Sequence, residues 1–202
     1  MRFPLFTSLL VVAPAIVAAQ QAETKNPAEM PPLAEQSQGR SDSSVLAQIA
    51  PENRVKLQVT LEAARRRNLP TRPMIDRIAA SKAKGSTDPQ IVTGTNEMLN
   101  RLELSQQALA KAGRRQPDPH EVALGAVALE RGVSPVQLEA LIKSAPTDRS
   151  LVISLDVLTQ LTGRGLSAGD AIAQVSGKLA ARAPDSEIAA LTAGLGAGVK
   201  KP

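Results

Sequence analysis

The sequence predicts an all-α protein: an irregular bundle or short solenoid of about eight short capped helices behind a disordered N-terminal tether. Three observations predict it. Apolar residues recur at helical spacing after cap-type residues. The segments so marked end in glycine or asparagine behind a cation. The single strictly alternating run has no second run of its length to pair with as a strand.

The starts share one pattern, in which a cap-type residue is followed four, five and eight positions on by apolar residues. Pro70 leads to Met74, Ile75 and Ile78; Thr87 leads to Ile91 and Val92; Thr147 leads to Leu151, Val152 and Leu155; Ser167 leads to Ala171, Ile172 and Val175. A Ser, Thr or Asp oxygen accepts from the free N–H groups of a first turn, and Pro is tolerated just inside. Asp88-Pro89, Asp118-Pro119 and Ser134-Pro135 fit that rule. Glu121, three residues after Asp118, suggests a capping box. The stops are Arg67-Asn68, Lys84-Gly85, Ala112-Gly113 after Lys111, Arg131-Gly132 and Arg164-Gly165. Helices are therefore expected at 51–67, 70–84, 87–112, 118–131, 134–144, 147–163, 167–182 and 185–193. The alternating run Val55–Leu61 also offers Val55/Val59 and Leu57/Leu61 as i,i+4 pairs, and it flows into the helix-forming Glu62-Ala-Ala-Arg-Arg. It is assigned to the first helix.

Arg67-Asn-Leu-Pro, Arg131-Gly-Val-Ser and Arg164-Gly-Leu-Ser repeat one stop-and-start element at separations of 64 and 33 residues. Segments 69–92 and 166–189 also align without gaps. Repeats of such length build solenoids, although short capped helices in any bundle look alike. No tetratricopeptide or ankyrin signature is present.

Four regions result: a secretory signal peptide at 1–19, a disordered linker at 20–44, a helical domain at 45–193 and a flexible tail at 194–202. In the first, Arg2 precedes an apolar run from Leu5 to Val17 that ends in Val17-Ala18-Ala19. That run is short for a bilayer span, which needs roughly 20 residues, so export is expected, to the periplasm or beyond the cell, with no stable transmembrane anchoring. Removing 1–19 takes away one Arg and no acid, and the formal charge falls from +5 to +4. The linker is rich in Gln, Ser, Pro and charge, and buries too little to offset ordering its backbone.

Composition excludes much chemistry. With no Cys, disulfides, thiolate metal sites and Cys nucleophiles are absent. Phe3 and Phe6 are the only aromatics larger than imidazole, and both fall in the removable segment, so base stacking and aromatic cages are not available. No cofactor loop or paired-His metal spacing exists. The lone His120 reads as a solvated residue in a first turn, and Glu62, Asp76, Glu97, Glu103 and Asp156 are scattered along helices.

Gly165-Leu166-Ser167-Ala168-Gly169 matches the G-x-S-x-G elbow of serine hydrolases. That motif needs a strand before the Ser and a His after it, whereas His120 lies upstream. An enzyme is not expected. The expected role is an exported, non-enzymatic binding or scaffold protein whose partner is an envelope or extracellular protein. The alternative is a weak anion-surface binder of nucleic acid, anionic lipid or envelope polymer. Its contacts would be Arg65, Arg66, Arg67, Arg72, Arg114, Arg115 and Arg131, cations placed beside expected helix starts.

Overall fold

The structure, a computed structural model, describes residues 44–193, and these are helical with no strand. The expectations for 1–19, for most of 20–44 and for 194–202 lie outside the described residues. The helices are α1 (44–47), α2 (Pro51–Arg66), α3 (Arg72–Ala83), α4 (Asp88–Lys111), α5 (Pro119–Glu130), α6 (Pro135–Lys143), α7 (Val152–Gly163), α8 (Ala168–Ala180) and α9 (Asp185–Ala193).

Their ends follow local chemistry. Ser134 and Gln137 form a reciprocal capping box, with bonds of 3.2 and 2.9 Å. Ser167 Oγ accepts from the Asp170 N–H at 3.1 Å, and Asp118 Oδ1 accepts from the His120 N–H at 2.6 Å. The five expected stop residues Asn68, Gly85, Gly113, Gly132 and Gly165 all have positive φ. After α2, α5 and α7 the same closure appears: Leu69, Val133 and Leu166 donate to the carbonyls of Ala64, Ala128 and Leu161. Arg182, at φ 53°, closes α8 in the same conformation without a glycine to announce it.

Three expectations need correction. Helix α3 begins at Arg72, not Pro70, behind Thr71. Helix α7 begins at Val152 rather than after Thr147, because the backbone before it finds partners outside any helix. The Pro146 and Arg149 carbonyls accept from Arg114, and the Leu151 N–H donates to Glu121 Oε1 at 2.7 Å. The third correction follows from the second: Glu121 turns into the core instead of back to the Asp118 cap.

Two rows of helices enclose the core. In one, α2 packs on α4, α4 on α6 and α6 on α8; in the other, α5 packs on α7 and α7 on α9. Packing of α4 on α5, α5 on α6 and α7 on α8 joins the rows. This succession of next-but-one contacts is the stacking pattern of a solenoid, within an all-α bundle. Leu102 and Leu109 of α4, Leu141 of α6, Leu155, Leu158 and Leu161 of α7 and Val175 of α8 are fully buried between the rows. Gly125 of α5 lets α4 come close, since a Cβ there would collide with Ser105.

The alternating run 55–61 lies wholly within α2. Leu57 and Leu61 are buried against the core, whereas Val55 and Val59 stand in solvent. Sequence order assigns α3 to the second row, but its broad packing is on α4 and not on α5.

Candidate binding groove between α3 and α5

Where α3 and α5 fail to close on each other, a groove of about 860 Å³ runs between them. One wall is α3, whose Pro73, Asp76, Arg77, Ala80 and Ser81 recur at helical spacing, continued by Lys84 just past its end. The other is α5, which contributes Pro119, His120, Ala123, Val127 and Glu130. Met98 of α4, itself buried, lies at the base. A single ion pair, Arg77 with Glu130, spans the two walls. Gly94 of α4 lies beside it: a Cβ there would stand 3.4 Å from Arg77 Nε, in ordinary van der Waals contact.

The charges of the groove are unevenly matched. Arg72 pairs with Asp76 at 2.9 Å within α3, and Arg77 with Glu130 across the gap. Lys84 and the His120 ring have no acidic partner among the described residues. The groove therefore joins an apolar base to a rim with donors to spare.

The seven arginines expected from the sequence to meet anions are mostly engaged with carboxylates. Arg65 lies 3.6 Å from Glu62, Arg67 pairs with Glu103 of α4, and Arg72 with Asp76. Arg114 is largely covered: its guanidinium donates to both Glu121 oxygens, at 3.2 and 3.4 Å, and to the Pro146 and Arg149 carbonyls. Its neighbour Arg115 stays exposed on the rim of a second cavity of about 390 Å³ that Arg114 also lines. Arg131 lies over Gly163 at the end of α7, where a Cβ would clash with its guanidinium. Arg66 remains on the exposed side of α2.

The other singled-out groups are likewise bound locally. Ser167 Oγ donates to Asp170 Oδ2 at 2.7 Å, and helix α7, not a strand, precedes it. The geometry is a helix cap, without the strained turn that exposes a nucleophile. Glu97 pairs with Arg101 at 3.3 Å, and Asp156 accepts from Gln160 at 2.8 Å. Among the described residues no three His, Asp or Glu side chains cluster as metal ligands, and no helix is long and apolar enough to cross a membrane.

Sequence reasoning missed Arg77, Lys84, Met98 and Glu130. Arg77 and Lys84 stand seven residues apart, at helical spacing, but Met98 and Glu130 belong to other helices, and only the gap between α3 and α5 brings all four to one space. No family model, curated protein or solved structure matches this chain.

Proposed function

We propose that this is an exported, non-enzymatic binding protein that takes an extended, acidic segment of a partner protein into the groove between α3 and α5. One observation carries the reading: the interrupted packing of α3 on α5, which leaves an open groove of about 860 Å³ over buried Met98. Such grooves, apolar at the base with a few polar groups at the rim, suit chain segments that bury alternate side chains. The unmatched Lys84 and His120 favour carboxylates on the ligand.

The test is selection of a displayed peptide library on the immobilised full chain, followed by titration of the enriched peptides. Ala123→Phe fills the groove from a half-exposed wall position. It is expected to weaken binding at least about tenfold, and Lys84→Glu about three- to tenfold with selective loss of acidic peptides. Absence of enriched peptides, or binding indifferent to Ala123→Phe, would overturn the reading. The anion-surface alternative predicts a different outcome: binding to DNA or anionic vesicles that falls steeply with salt and with Arg115→Glu, unaffected by Ala123→Phe.

A further inference from the structure

Helix α2 is apolar on two opposite faces. Residues two apart on a helix point about 200° apart, so a period-two run laid into a helix makes two stripes, not one. Leu57 and Leu61 form the stripe that packs against α4; Val55 and Val59 form the other, 58% and 60% exposed. A stacked array normally closes with a polar outer helix. The far end does so: α9 shows Asp185, Ser186 and Glu187 to solvent. At the α2 end no described element covers the valines.

The geometry points to a second copy of this chain as their occupant, through an antiparallel pairing of α2 with α2 about a two-fold axis at Val59. On a helical wheel Glu52, Val55, Ala63 and Arg66 fall within about 40° of Val59. Glu52 and Arg66 lie at equal distances in sequence on either side of it. Antiparallel association therefore sets Glu52 of each copy against Arg66 of the other while the valines and Ala63 meet between them. Parallel association would set like charges together. Neither Glu52 nor Arg66 has a partner among the described residues, so both are free for this use. The face is self-complementary, as an isologous interface requires. Two 16-residue helices are each only about 24 Å long, so the contact falls below the roughly 800 Å² per partner of a stable complex. The association is weak, with a Kd on the order of 100 µM.

Sedimentation velocity of the full chain, from about 10 µM to about 500 µM, tests this around the expected Kd. The wild type is expected to pass from monomer to dimer. Val59→Glu abolishes the dimer, and Glu52→Arg weakens it about tenfold by facing Arg66 with a like charge. The double variant Glu52→Arg/Arg66→Glu restores it to within about twofold, with unchanged far-ultraviolet circular dichroism showing that all three variants fold. A chain that stays monomeric throughout would overturn the inference, as would a dimer indifferent to Val59→Glu or a double variant that fails to recover. Ala123→Phe leaves the dimer intact, which separates this surface from the groove.

Discussion

Arg114 and Glu121 stand seven residues apart, one beyond the end of α4 and one in the first turn of α5, with side chains only 11% and 4% exposed. Together they hold the segment before α7, because Arg114 also takes two of its carbonyls and Glu121 takes the Leu151 N–H. Removing one member of a buried pair leaves the other charge uncompensated, at a cost of about 3–5 kcal/mol. Arg114→Ala is expected to lose that much in urea denaturation. Glu121→Gln is expected to lose less than Glu121→Ala, since an amide oxygen still accepts from Leu151, and hydrogen exchange at the Leu151 amide separates the two variants. Asp88 gives the pH dependence. The Ala50 N–H, donating at 2.8 Å, and then Lys82 at 3.0 Å hold its carboxyl below the ordinary value of 3.8. A depressed folded-state pKa contributes stability that is complete above the unfolded value and is lost as pH falls through the folded one. Asp88→Asn should therefore lower the melting temperature at pH 7. The difference from wild type should begin to shrink near pH 3.8 and vanish further below it.

At the scale of elements, the close approach of α4 and α5 is decided by Gly125 against Ser105. A Cβ on Gly125 would collide with the Ser105 hydroxyl and stand 3.2 Å from its Cβ. The Ser105 hydroxyl is buried with no hydrogen-bond partner among the described residues, so its removal is nearly free. Gly125→Ala sets about 1 kcal/mol gained in helix propensity against about 1–3 kcal/mol of overpacking. It is expected to destabilise by about 1 kcal/mol in the wild type and to become neutral or better with Ser105→Ala, as thermal unfolding of the four chains would measure. The helix ends were legible in the chain. Asn68, Gly85, Gly113, Gly132 and Gly165 announce five stops, and Ser134 and Ser167 announce two starts, because the bonds that close a helix end span only a few residues. The start of α7 was illegible for the opposite reason: Leu151 answers to Glu121, 30 residues away.

For the whole molecule, the two stacked rows leave both proposed surfaces where the stacking stops, one between α3 and α5 and one on the outside of α2. Filling an open groove disturbs no buried packing, so Ala123→Phe should bind peptide poorly while melting like the wild type. Along the chain the arginines stand beside expected helix starts. In the fold, Arg67 meets Glu103, Arg114 meets Glu121 and Arg131 rests on Gly163. Guanidinium is long and takes the nearest carboxylate or backbone oxygen in space, which sequence position alone does not reveal.

The sequence by itself determined the helical class, most of the boundaries and the two-faced character of α2, since caps, stops and periodicity are settled within one or two turns. Only the tertiary structure decided that Glu121 points inward, that no described element covers Val55 and Val59, and that α3 and α5 stand apart with Arg77 reaching Glu130, 53 residues on. Those outcomes depend on which helices stack, and stacking is fixed by the combined burial of many side chains from distant segments rather than by any local pattern.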